Sequence, residues 1–201
     1  MNTTVEQLDA LTEIVNIGTG RAAAILSEIT DSWIELSVPR VIACRPADVA
    51  QYLSTTQSES QTLICQNFTG GLDGQASLSF PSNSALSLAQ FVGEVEEVAD
   101  ELDFDLEGIL EEVGNIVLNA VLGSVSNLFE CGLEYSLPRL LPKVDLLAHL
   151  NQHSLPGGEA ELTILVANTH FKIASRDIEG SLILVFQVGC LERLLAKIME
   201  E

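Results

Sequence analysis

Residues 11–26, LTEIVNIGTGRAAAIL, are answered further along the chain by residues 110–125, LEEVGNIVLNAVLGSV. Each segment places a Glu three residues before an Asn-Ile pair and runs on into small and apolar residues. Glu13, Asn16 and Pro39 recur as Glu112, Asn115 and Pro138, all at one offset of 99. Three coincident offsets in otherwise diverged sequence are the signature of an internal duplication.

The echo resumes late in each copy. Phe68-x5-Gly74-x5-Phe80 is followed by Asp177-Ile178-Glu179-Gly180 and the run to Phe186, now at an offset of 106. The loop carrying Ser154, Pro156, Gly157 and Gly158 is expected to hold the inserted length. The chain thus divides into repeats 1–97 and 98–201, with acidic residues 94–105 crossing the join.

Helical periodicity dominates the start of each repeat. Leu8, Leu11, Val15, Gly18, Ala22 and Ile25 form a packing stripe, and Glu6, Asp9, Glu13, Asn16 and Gly20 form a polar one. In the second repeat Leu106, Leu110, Val113, Val117, Val121 and Val125 pack, while Glu112, Asn115 and Asn119 share the opposite flank. Strand character follows in residues 33–41, 61–68 and 75–80. Ala76, Leu78 and Phe80 alternate with polar residues, as in a half-buried strand, whereas Ser181 to Phe186 is nearly all apolar and reads as central. Asp73-Gly74 and Glu179-Gly180 are turn signals before the last strands, and amphipathic helices over 83–92 and 190–199 close the repeats. The expected fold class is α+β: a single domain over 1–201 whose two halves (helix, three strands, helix) share a central sheet of about six strands with pseudo-two-fold symmetry.

Composition narrows the function classes. With 29 acidic residues against 9 basic ones, a net charge of −20 repels phosphate backbones and anionic headgroups, so neither nucleic acid nor a membrane surface is the expected partner. Halophilic and ordinary cytosolic proteins share such a balance. Cys44, Cys65, Cys131 and Cys190 lie far apart without a C-x-x-C pair, which reads as small buried hydrophobes in a reducing compartment. The first residues lack a secretory pattern, and the apolar stretches read as too short and interrupted to cross a bilayer. A cytoplasmic protein is expected.

Glu and Asn at i and i+3 on a helix converge on one point outside it. A single such pair is ordinary surface; a pair repeated together with its downstream proline is a candidate site. Asp9-x3-Glu13-x2-Asn16-x22-Pro39, with Glu112-x2-Asn115-x22-Pro138, resembles the signature of the CheC, CheX and FliY family of chemotaxis phosphatases, and the duplicated layout is that of the CheC branch. In the second copy Gly108 stands where the family has Asp or Ser, which removes a side chain available to steady the helix.

The resemblance implies a phosphatase acting on a phosphorylated CheY-like receiver. Asn16 and Asn115 would position the attacking water, since a carboxamide both donates and accepts without adding charge. Glu13 and Glu112 would pair with the receiver's lysine at ~1.5–3 kcal/mol each. No cofactor or metal of its own is implied, because the receiver supplies Mg2+. CheD is a further partner suggested by the CheC branch. The competing class is a non-catalytic module binding a receiver, CheD or a flagellar switch component, the last disfavoured by an end at Glu201 without an appended switch domain. Pro39 and Pro138 read as scaffold that shapes a strand.

Other signals point elsewhere. Gly18-Thr19-Gly20 lies inside a helical pattern without the strand or Lys-Ser/Thr of a phosphate loop, and reads as a close-approach surface. His149, His153 and His170 are metal-ligand candidates only if the first two are helical, and the Pro156-Gly157-Gly158 turn argues for loop. Trp33 opens a strand and reads as core. Gly-x-Ser-x-Gly, His-Glu-x-x-His and Cys-x5-Arg arrangements are absent from the sequence.

Overall fold

The apolar stripe of the first repeat builds helix α1 (Val5–Thr30), and that of the second builds α3 (Phe104–Leu128). Every residue of the second stripe is buried; in the first, Leu11, Val15, Gly18 and Ala22 are buried and Leu8 and Ile25 partly so. The computed structural model describes residues 5–45, 48, 52, 61–95, 101–128, 130–146, 148–149, 164–173 and 178–187. Asp103 caps α3, its carboxylate accepting the Leu106 N–H at 2.9 Å. Both helices end alike: Asp31 and Glu130 take left-handed φ of 42° and 49°, and Ser32 N–H and Cys131 N–H return to the carbonyls of Ser27 and Ser126. That is the six-to-one closure of a Schellman motif, here without glycine.

The strands are β1 (Ile34–Leu36), β2 (Arg40–Cys44), β3 (Gln61–Gly70), β4 (Gly74–Pro81), β5 (Leu133–Tyr135), β6 (Arg139–Val144), β7 (Ile164–Ile173) and β8 (Ile178–Gln187). They form one antiparallel sheet in the order β1-β7-β8-β4-β3-β5, with β2 continuing beside β7 and β6 beside β3. Eight segments therefore fill six positions. The strand expected over 33–41 is split, as is its counterpart, because five residues from Leu36 to Arg40 oppose four from Phe171 to Asn168. Tyr135 to Arg139 faces Phe68 to Cys65 in the same way. Pro39 and Pro138 sit in these bulges, where no ladder donor is required. Ser37 and Ser136 mend the ladder: their hydroxyls accept the N–H of His170 (2.9 Å) and Asn67 (3.1 Å), and their own N–H groups donate to His170 and Asn67 carbonyls.

The symmetric centre is the β4–β8 pair, and each repeat gives its first strands to the other repeat's hairpin. Helix α1 accordingly packs over β1, β2 and β7, and α3 over β3, β4, β5 and β6. Helix α2 (Ser82–Val92), expected over 83–92, packs on α3 and β8. The closing helix expected over 190–199 lies outside the described residues. Register also places the insertion. Phe68 pairs with Gly74 but Phe171 with Gly180, so three residues enter the second hairpin and the remaining four precede β7. Residues 154–158, expected to be the loop that holds the inserted length, lie outside the described residues, in a stretch before β7 that accounts for only part of it.

Strand β4 is buried on both faces, not half-buried as its alternation suggests. Leu78 and Phe80 enter the helix-side core, while small polar side chains on the other face find partners: Ser79 donates to Gln61 at 3.2 Å, and Gln75 donates to Asn67 at 3.0 Å. A second cluster of Cys44, Leu63, Cys65, Leu146, Val166, Ile183 and Val185 covers the rest of that face. Trp33, read as core, is 75% exposed. Ile34 takes the inward slot at the strand start, and the period of two turns Trp33 outward. By length and composition residues 104–127 of α3 are apolar enough to cross a membrane, contrary to the reading of the sequence. The helix is apolar because it packs against both α1 and the sheet, with its stripe in the core.

Candidate functional site

Glu13 and Asn16 stand on the exposed flank of α1, Glu112 on that of α3, and Asn115 beside it is half-buried. Each pair is held by a helix whose opposite stripe is locked into the core, so the backbone beneath it is fixed. The side chains of Glu13, Asn16 and Glu112 make no hydrogen bond or ion pair among the described residues. An unpaired carboxylate one turn from a carboxamide offers an incoming molecule a full negative charge and a neutral donor–acceptor.

Asp9 is exposed and likewise unpartnered, and a Cβ on Gly108 would meet nothing within 4 Å. The departure at Gly108 therefore removes no contact that Asp9 makes in the first copy. Gly18 faces α3, but a Cβ there would lie 3.5 Å from the Val121 side chain, an ordinary contact, and Gly20 faces open space, so neither glycine is required for close approach.

The two flanks differ in what lies behind the Asn. In the second copy Asn119, one turn on, donates from Nδ2 to Asn115 Oδ1 at 2.8 Å. Asn119 Oδ1 in turn accepts from Gln66 Nε2 at 3.0 Å, and the same Nε2 donates to the Ser136 carbonyl at 2.9 Å. In the first copy the Asn119 position is Gly20, and the strand position matching Gln66 is Thr169, whose buried hydroxyl has no partner.

The apolar surroundings are duplicated as well. Among the described residues the large exposed hydrophobics include Val5 with Phe104 (74% and 88%), Ile17 with Ile116, Leu36 with Tyr135, and Val38 with Leu137 (82% and 84%). Each pair keeps the offset of 99. Gln66 and the bulge serines escaped the sequence reading. The signal for the serines was present in Glu-x-Ser-x-Pro-Arg, which occurs at 35–40 and again at 134–139.

The remaining candidates fall elsewhere. Cys44 and Cys65 are buried and Cys131 partly so, all three as free thiols, and Cys190 lies outside the described residues. Burial pushes the Cys65 thiol up to about 11, against smaller opposing effects of the Ser77 hydrogen bond and Arg139. His149 occupies a helical turn and not a loop, because Asp145 accepts the Ala148 and His149 N–H groups. Its Nε2 lies 3.6 Å from Cys65 Sγ, whereas His170 is bound to Ser181 on β8 at 2.8 Å. His153 lies outside the described residues.

Residues 6–43, which carry Glu13, Asn16 and Pro39, match the model of the CheC-like family. The whole chain is similar to the crystal structure of Thermotoga maritima FliY, with a TM-score of 0.74 at 22% identity, covering 100% of this chain and 99% of that one. It is also similar to the FliM middle domain from H. pylori (TM-score 0.66, 13% identity, 97% and 99% covered). A third likeness is to the CheX–CheY complex with BeF3 and Mg2+ from Borrelia burgdorferi (TM-score 0.56, 16% identity, 85% and 94% covered). The architecture is thus that of the FliY, CheX and FliM proteins. The family match covers α1, β1 and most of β2, and the likeness to these structures is one of fold.

Proposed function

We propose that the protein is a cytoplasmic chemotaxis phosphatase that hydrolyses the aspartyl phosphate of a CheY-like response regulator. The observation that carries this reading is the duplicated helix flank, on which Glu and Asn recur with their apolar neighbours while the rest of the sequence diverges. The relative from Borrelia burgdorferi, of the same fold, is a complex of CheX with CheY.

In this reading Glu13 or Glu112 pairs with a lysine at the receiver's pocket and sets the register of the helix. Asn16 or Asn115 then enters the pocket and holds a water in line with the phosphorus. Water attacks, the acyl-phosphate P–O bond breaks, and inorganic phosphate leaves the regenerated receiver carboxylate. The receiver's own Mg2+ carries the charge that develops on the phosphoryl oxygens, and nothing becomes covalently attached to this chain.

A second reading is binding without turnover, to a receiver, to CheD or to a flagellar switch component. The likeness to the FliM middle domain favours it, since one architecture then spans different roles and the fold by itself does not supply catalysis. Phosphate release from a phosphorylated receiver, with wild-type protein and with Asn16→Ala/Asn115→Ala, separates the two. Acceleration that disappears in the folded double variant supports the phosphatase; acceleration unchanged in that variant removes the assigned role of the carboxamides.

A further inference from the structure

We infer that Asn119 is a positioning residue that locks the carboxamide of Asn115 in one orientation, making the two sites unequal with the second the faster. The inference rests on the phosphatase reading for its kinetic consequence and on geometry alone for the orientation.

The orientation follows from one fixed acceptor. The Ser136 carbonyl can only accept, so the Gln66 atom 2.9 Å from it must be the amide nitrogen. That nitrogen also faces Asn119 at 3.0 Å, which must therefore present Oδ1 to it and Nδ2 to Asn115. Asn115 is left with its oxygen turned toward the relay, one lone pair of that oxygen open, and both Nδ2 hydrogens directed away from the relay. A backbone carbonyl in the bulge between β5 and β6 thereby selects the face that Asn115 shows to a partner, through a strand of the other repeat.

Asn16 has no such support, because Gly20 offers no side chain and Thr169 is too short to replace Gln66. An unrestrained carboxamide must be ordered when the water is bound, and that cost falls on the transition state. The repeat that lacks the Asp9 equivalent is thus the better organised of the two.

Two measurements on the full chain test this independently. The first is the 15N order parameter of the side-chain amides: Asn115 is expected to be rigid and Asn16 mobile, with Asn119→Ala bringing Asn115 to the Asn16 level. Equal mobility of Asn115 and Asn16 in the wild-type protein would overturn the inference, whatever the enzymology. The second is phosphate release with each site isolated. In the Asn16→Ala background, Asn119→Ala is expected to lower kcat about tenfold at unchanged KM, while in the Asn115→Ala background it leaves both constants unchanged. A loss in both backgrounds, or a rise in KM alone, would mean a merely structural or docking role. Absence of any acceleration by the wild-type protein would end the phosphatase reading and the rate difference with it, with the orientation still decided by the amide relaxation.

Discussion

Gly114 of α3 lies directly on Ile64 of β3: a Cβ at Gly114 would come within 2.3 Å of Ile64 Cγ2 and 3.1 Å of its Cβ. At the matching positions of the first repeat the sizes are exchanged, with Val15 on the helix and Ala167 on the strand, both buried. The summed side-chain volume at these paired positions is conserved although both residues differ. Gly114→Ala is expected to destabilise the fold by ~1–3 kcal/mol from overpacking against a stiff β-branched side chain, less ~1 kcal/mol returned by the better helix former. Urea unfolding of Gly114→Val, Ile64→Ala and the double variant should show a favourable coupling of at least ~0.5 kcal/mol. Strict additivity would mean that the two positions do not share one space.

Removing the carboxylates tests docking apart from chemistry. Glu13→Gln with Glu112→Gln should raise KM for the phosphorylated receiver by roughly tenfold to a hundredfold, as expected for a charge-assisted bond of ~1.5–3 kcal/mol. The Asn16→Ala/Asn115→Ala protein should instead lose about 10²–10³ in kcat. Steady-state kinetics at fixed ionic strength separates the two, and a kcat effect from the Glu variants alone would reassign those residues.

The helix ends offer a gain in stability. Asp31 and Glu130 hold positive φ at the position where glycine is unstrained. Asp31→Gly and Glu130→Gly should each stabilise by about 1 kcal/mol, read as a rise in the urea midpoint. A fall in the midpoint would show that the lost side chains matter more than the backbone strain.

Cys65 gives the fold an alkaline limit. Its thiol titrates near 11 when folded because burial disfavours the thiolate. The folded state therefore keeps its proton where the unfolded chain has lost it, so this contribution is intact below the ordinary thiol range and disappears as pH rises toward 11. It amounts to on the order of 2 kcal/mol. Urea midpoints measured from pH 8 to 11 should fall less in Cys65→Ser than in the wild type, and native alkylation of Cys65 should be slow against the urea-unfolded chain.

The duplication, the helix stripes, the α+β class and the exposure of Glu13, Asn16 and Glu112, though not the half-burial of Asn115, were determined by sequence, because helical periodicity and a constant offset are local properties that survive divergence. The bulges were half legible: proline marked the place, but the serine that repairs the ladder needs its partner strand to be recognised. Burial of β4 on both faces and exposure of Trp33 were hidden, since each depends on which strand lies alongside and on what covers the second face. Only the tertiary structure revealed that each repeat completes its neighbour's hairpin. That exchange brings Gln66 of the first repeat to Asn119 of the second across 53 residues of chain, a contact that no periodicity within either repeat encodes.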